Sequence, residues 1–194
     1  MKRITISTVI ASMLIFCSGR QSFYSEALNL PEPVQKKLVD PKSFFHKGVA
    51  VTPRYRFQVQ ARVLSKKNYR MGRAGKICPV DLALGWGPMS NDEVLKEIKI
   101  KQRSRFYFWS VRDYPISKKE ITLNSANMHI IPADGKVAAE LKAVRKGDVI
   151  KFSGFLVNLR AEDGWRWKTS ERRSDSGGGA CELVWVEEIT RLNR

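Results

Sequence analysis

Tyr55-Arg56-Phe57-Gln58-Val59-Gln60-Ala61-Arg62-Val63 alternates without a break: Tyr55, Phe57, Val59, Ala61 and Val63 are apolar or aromatic, and Arg56, Gln58, Gln60 and Arg62 fill the places between them. Successive strand side chains point to opposite faces, so this is a strand with one face in a core and one in water. Ahead of it, Pro31, Pro33 and Pro41 surround the short stretch Val34 to Val39, and Phe44-Phe45-His46 follows. Residues 28–50 are therefore expected to be a linker or an arm packed on a domain spanning residues 51–194.

Residues 52 to 80 carry Arg54, Arg56, Arg62, Lys66, Lys67, Arg70, Arg73 and Lys76, with no acid before Asp81. Ser90 and Glu93 have capping-box spacing ahead of Val94, Leu95 and Ile98, which predicts a short helix. Alternation then resumes. Read as one continuous strand, Ile98, Ile100, Phe106 and Phe108 fall on one side, and Lys99, Lys101, Arg103, Arg105, Tyr107 and Trp109 on the other. Asp134 is placed to cap a second helix through Val137, Ala138, Leu141 and Val144, and Gly147-Asp148 turns the chain into an apolar strand from Val149 to Leu159. Gly154 inside that strand predicts a bend or bulge. Residues Ala161 to Gly164 turn into Trp165, Trp167 and Thr169, and a loop through Gly177, Gly178 and Gly179 leads to a last strand from Leu183 to Ile189.

At least five strands and two short helices describe a mainly β (β-rich α+β) domain, a small OB-like or SH3-like partly open barrel. An open α+β sheet is the alternative. The chain has 194 residues, 43% of them hydrophobic, with 9 Phe, 5 Trp and 5 Tyr, enough for one real core. That composition excludes a disordered tail, a collagen-like chain and a low-complexity segment.

Lys2 and Arg3 precede an apolar run from Ile4 to Phe16, the charged and hydrophobic regions of a secretory signal. The run is too short to cross about 30 Å of hydrocarbon and ends near Arg20. Ser25-Glu26-Ala27 supplies small residues for cleavage after Ala27, so residues 1–27 are expected to be a signal peptide; Cys17-Ser18-Gly19 is an earlier alternative. Lipidation at Cys17 is disfavoured by the bulky Phe16 before it. An uncleaved anchor has similar weight, and all these readings place the domain outside the cytoplasm, in the periplasm or on the outer side of the inner membrane. Loss of residues 1–27 removes Lys2, Arg3, Arg20 and Glu26 and leaves 32 basic and 18 acidic residues, a charge of +14 against +16 for the full chain. Cys78 and Cys181 remain, and an even pair of thiols in an oxidising compartment predicts a disulfide.

The chain lacks a phosphate-binding P-loop, HExxH, a nucleophile elbow and a CxxC pair, so no cofactor and no metal is predicted and an enzyme is disfavoured. Its two histidines are His46 and His129. A Cys-His nucleophile using His129 with Cys78 or Cys181 is a minor reading; hydrogen bonding of His129 and Asn127 to backbone is the ordinary one. Gly177-Gly178-Gly179 beside Lys168, Arg172 and Arg173 suits an anion but equally a solvated loop. Trp86, between Gly85 and Gly87, fits a plug closing the end of the barrel slightly better than a binding platform. The face of Lys99, Lys101, Arg103, Arg105, Tyr107 and Trp109 is the sharpest functional hint, because cations neutralise a polyanion and aromatics stack on its rings.

The stretches Asp81 to Ser90, Ser125 to Ala133, Gly147-Asp148, Gly154 to Val157 and Gly179 to Glu182 resemble a group of bacterial exported proteins of unassigned function. The resemblance spans roughly residues 55 to 188 and implies export and one domain, with no site residue carried over. The resulting expectation is an exported, non-catalytic binding module whose basic, aromatic-bearing surface docks an anionic envelope component: a lipid head group, a glycan or an acidic protein. Nucleic acid is disfavoured by export. Two rivals stand beside it: an envelope-polymer hydrolase or transferase using His129 with Asp81 or Glu182, and a structural subunit of an envelope complex.

Overall fold

A computed structural model of the chain describes residues 28–172 and 180–192. The strands are β1 (Val34–Lys37), β2 (Phe44–His46), β3 (Val49–Asn68), β4 (Val80–Gly85), β5 (Ile98–Arg103), β6 (Phe106–Val111), β7 (Ser125–Pro132), β8 (Val149–Arg160), β9 (Arg166–Trp167) and β10 (Glu182–Leu192). Helices α1 (Gly72–Ile77), α2 (Asp92–Lys96), α3 (Lys118–Leu123) and α4 (Gly135–Ala143) and a 3₁₀ turn at Pro88–Ser90 lie between them. The protein is mainly β. The expected signal peptide, Cys17 and the triple glycine Gly177–Gly179 lie outside the described residues.

The alternating stretch at residues 55–63 is the middle of β3, and β3 organises the sheet by changing partners. Its residues Ala50 to Arg62 pair antiparallel with β8, and Arg62 to Asn68 pair antiparallel with β4. From β4 the sheet continues to β7, then by a parallel step to β10, and then to β8. It is partly open rather than closed into a true barrel. Residues 28–50 join the same sheet, because β1 and β2 both pair with β3 and Leu30 bridges Gly87.

A register shift between Pro53 and Tyr55 decides which core each end of β3 serves. One extra residue on a strand reverses the side to which the following side chains point. Val49 and Val51 thus pack with Val157 and Leu159 on the outside of the sheet, while Phe57, Val59 and Ala61 pack with Ile150, Phe152 and Leu156 inside it. Trp86 belongs to the inner core and is buried, so it is not displayed as a binding platform. Gly154 faces a second register shift, between Val186 and Glu188 of β10. A Cβ on Gly154 would stand 1.9 Å from the Trp185 carbonyl oxygen, so the two strands meet there only because the side chain is missing.

Helix α4 begins where the sequence places it, with the Asp134 carboxylate accepting from the Val137 N–H at 2.8 Å. Its C-terminal carbonyls are gathered by Lys66 of β3, whose ammonium donates to Leu141, Lys142 and Val144 at 2.6, 3.0 and 2.9 Å. Helix α2 is capped by Asn91 instead of Ser90. The Ser90 hydroxyl donates to the carbonyls of Leu28 and Gly87, stitching the first described residues to the domain.

Candidate functional site

β5 and β6 form a separate two-stranded sheet inserted between β4 and β7. They are joined by Ser104-Arg105, both with positive φ (51° and 70°), the backbone of a tight hairpin turn that ordinarily draws Asn or Gly. Arg105 is held in that conformation by its surroundings. Its N–H donates to the Tyr69 hydroxyl at 3.0 Å and its carbonyl accepts from Asn127 Nδ2 at 3.0 Å. Its guanidinium donates to Asp81 Oδ1 at 2.7 Å and to the Cys78 carbonyl at 3.0 Å, and lies 3.8 Å over the Tyr69 ring.

The turn breaks the continuous alternation that the sequence suggested. Arg103 pairs with Phe106, Lys101 with Phe108 and Lys99 with Ser110, and paired residues share a face. The solvent face therefore carries Lys99, Lys101 and Arg103 with Phe106 and Phe108, the two rings 42% and 53% exposed. Ring centroids are 6.3 Å apart with planes tilted by 44°. Among the described residues none of the three cations pairs with a carboxylate.

Tyr107 and Trp109 are on the opposite, inward face and pack with Ile100 and Val111 against Leu64, Ala83, Met89, Ile98 and Ile121. The Tyr107 hydroxyl donates to Ser125 Oγ at 3.0 Å, and burial pushes its phenol up to about 12. Of the six residues expected on one face, three are on it, two are core and Arg105 points inward at the tip. The missed residues are Phe106 and Phe108, and a turn signal between Arg103 and Phe106 would have found them.

Beneath the tip lies a buried polar cluster. Register sets His129 of β7 directly across from Asp81 of β4, and the two side chains are 3% and 1% exposed as residues. His129 Nδ1 is 2.9 Å from Asp81 Oδ1 but out of line for a ring N–H bond, and Asp81 Oδ2 is buried without a hydrogen-bond partner among the described residues. The Trp167 ring lies 4.8 Å from the His129 ring, and the Arg105 guanidinium, 5.5 Å from the centre of the Trp167 ring, bonds to Asp81 beside it. Gln102 Nε2 donates to Asn127 Oδ1 at 2.6 Å, continuing the network into the hairpin.

Cys78 and Cys181 border this cluster as free thiols, which corrects the expected disulfide. Each sulfur has other surroundings: Cys78 packs with Ile77 and Leu183, whereas Cys181 Sγ contacts Asn127 Nδ2 at 3.5 Å and the Arg105 carbonyl at 3.7 Å. Burial raises both thiol pKa values, opposed at Cys78 by Arg105 and at Cys181 by the Asn127 hydrogen bond, so neither is an activated thiolate.

No family model, curated protein or solved structure matches this chain. The site is therefore read from its own chemistry. Among the described residues, no three of His, Cys, Asp and Glu gather as a metal site, and no helix is long and apolar enough to cross a membrane.

Proposed function

We propose that the protein is an exported, non-catalytic binding module that docks an anionic partner through the solvent face of the β5–β6 hairpin. The observation that carries this reading is that Lys99, Lys101 and Arg103, which pair with no carboxylate among the described residues, stand beside two exposed phenylalanines on a face backed by core packing. Export is supported by Lys2-Arg3 ahead of Ile4 to Phe16. The pairing order β3, β4, β7, β10, β8, the parallel β7–β10 step and α4 between β7 and β8 support an OB-like architecture. In such folds the face of the second and third strands commonly takes the ligand. Here the hairpin covers the corresponding outer face of β4 and β7, which moves the docking surface onto the hairpin itself.

The test is ionic strength. With three cations engaged, log affinity for a flexible polyanion falls against log salt with a slope of about −2, taking about 0.7 released counterion per contact. Affinity that stays constant as salt rises severalfold overturns the reading.

One observation favours a second reading, the hydrolase or transferase: His129 and Asp81 do meet, at 2.9 Å. Against it, Arg105 and Trp167 seal both groups from a substrate. Hydrolysis of an envelope polymer that is abolished by His129→Gln in a still-folded protein would reinstate it.

A further inference from the structure

We infer that the anionic partner is a lipid bilayer surface, with Phe106 and Phe108 entering its interface and Lys99, Lys101 and Arg103 resting on its head groups. This inference depends on the hairpin reading above and names the partner for that same face.

Charge pairing alone needs no exposed phenylalanine. A Phe ring has no polar tip, and two of them side by side on a charged strand pair leave apolar area that water solvates poorly. The cross-strand pairs Arg103–Phe106 and Lys101–Phe108 put a long-stemmed cation beside each ring. That spacing suits an interface: the rings sink past the head groups while the cations snorkel to the phosphates. From Ile98 to Val111 the hairpin holds no Asp or Glu, so nothing on it repels an anionic leaflet. A run of nucleic-acid bases is the competing occupant, but bases stack on parallel planes, and the 44° tilt between the rings does not offer one. The strands supply a rigid platform, because Tyr107 and Trp109 anchor the inner face and the Arg105–Asp81 pair anchors the tip.

The test compares binding of the protein purified after export, without residues 1–27, to vesicles of phosphatidylcholine containing phosphatidylglycerol, to pure phosphatidylcholine vesicles, and to immobilised polyglutamate and a single-stranded oligonucleotide. Circular dichroism checks that every variant is folded. The expected result is salt-sensitive binding to the anionic vesicles above any binding to the neutral ones. Lys99→Gln, Lys101→Gln and Arg103→Gln together should weaken vesicle binding about a hundredfold, near fivefold for each cation brought to the surface. Phe106→Ser with Phe108→Ser should weaken it at least tenfold and leave polyglutamate binding unchanged.

Equal binding to neutral and anionic vesicles overturns the inference, as does anionic-vesicle binding that survives loss of both rings. Polyglutamate binding with no vesicle preference overturns the lipid assignment and leaves the hairpin reading standing. Oligonucleotide binding that depends on the two rings reassigns the face to nucleic acid. Salt-sensitive binding to none of the four overturns both.

Discussion

Arg105→Ala tests the anchor that fixes the hairpin and decides which of its faces is free. Asp81 is 1% exposed, and Arg105 Nη1 at 2.7 Å is the cation that neutralises it. Removing one member of a buried pair costs about 3 to 5 kcal/mol, because the remaining charge keeps its desolvation penalty. The Arg105 side chain is 20% exposed, so water partly replaces the guanidinium and the lower end applies, about 3 kcal/mol. Alanine keeps a Cβ at the same positive φ, so backbone strain cancels in the comparison. Urea unfolding should show the loss as a lower midpoint, and heating as a drop of about 6 to 12 °C for a chain of this size. Asp81→Asn in the Arg105→Ala background removes the orphaned charge, so a double-mutant cycle should give a coupling of about 2 kcal/mol or more. Affinity for an anionic partner should change less than about twofold, since Arg105 faces inward. An Arg105→Ala protein within about 0.5 kcal/mol of wild type, or a coupling near zero, refutes the anchor.

Gly154→Ala forces a Cβ to 1.9 Å from the Trp185 carbonyl, so it should destabilise by about 3 kcal/mol in urea unfolding; a neutral effect would mean β8 and β10 do not meet as described. Cys78 should resist a thiol reagent in the native protein, and both Cys78 and Cys181 should titrate in denaturant without reductant, whereas a protein in which neither titrates would mean that the two are joined after all. The Tyr107 phenol is raised from 10.0 to about 12, so it stays protonated where exposed phenols have ionised. A raised folded value means stability is intact below the unfolded value and is lost as pH climbs from about 10 towards 12. Tyr107→Phe should remove that alkaline loss, which stability measured from pH 9 to 12 would show; an unchanged alkaline profile contradicts the burial.

The strand of residues 55–63 was legible because one side of it faces a core, and burial of one side is what period-two alternation encodes. Helix α4 was legible from Asp134 for a local reason, a cap three residues from its partner. Helix α3 carries a complete capping box, with Ser117 and Glu120 bonded to each other's backbone, and the signal was present in the sequence. Helix α1 has no side-chain cap and no sequence signal of that kind. The hairpin faces were misassigned because Ser104-Arg105 adopts a turn its own residues do not favour; contacts from Tyr69, Asp81 and Asn127, all distant in the chain, impose it. His129 could be matched from the sequence to either Asp81 or Glu182; the choice of Asp81 depends on the register of β4 on β7, which no local signal shows. Counting cysteines predicted a bond that local packing does not make, since each sulfur has its own neighbours.

Docking belongs to one face of the hairpin and not to the net charge of the molecule. Two variants of equal charge separate these: Lys99→Gln with Lys101→Gln and Arg103→Gln, against Lys36→Gln with Lys119→Gln and Lys136→Gln, all exposed residues. Affinity for anionic vesicles at physiological salt should fall about a hundredfold in the first and less than threefold in the second. Equal losses in the two would mean that net charge, and not the hairpin face, sets the affinity.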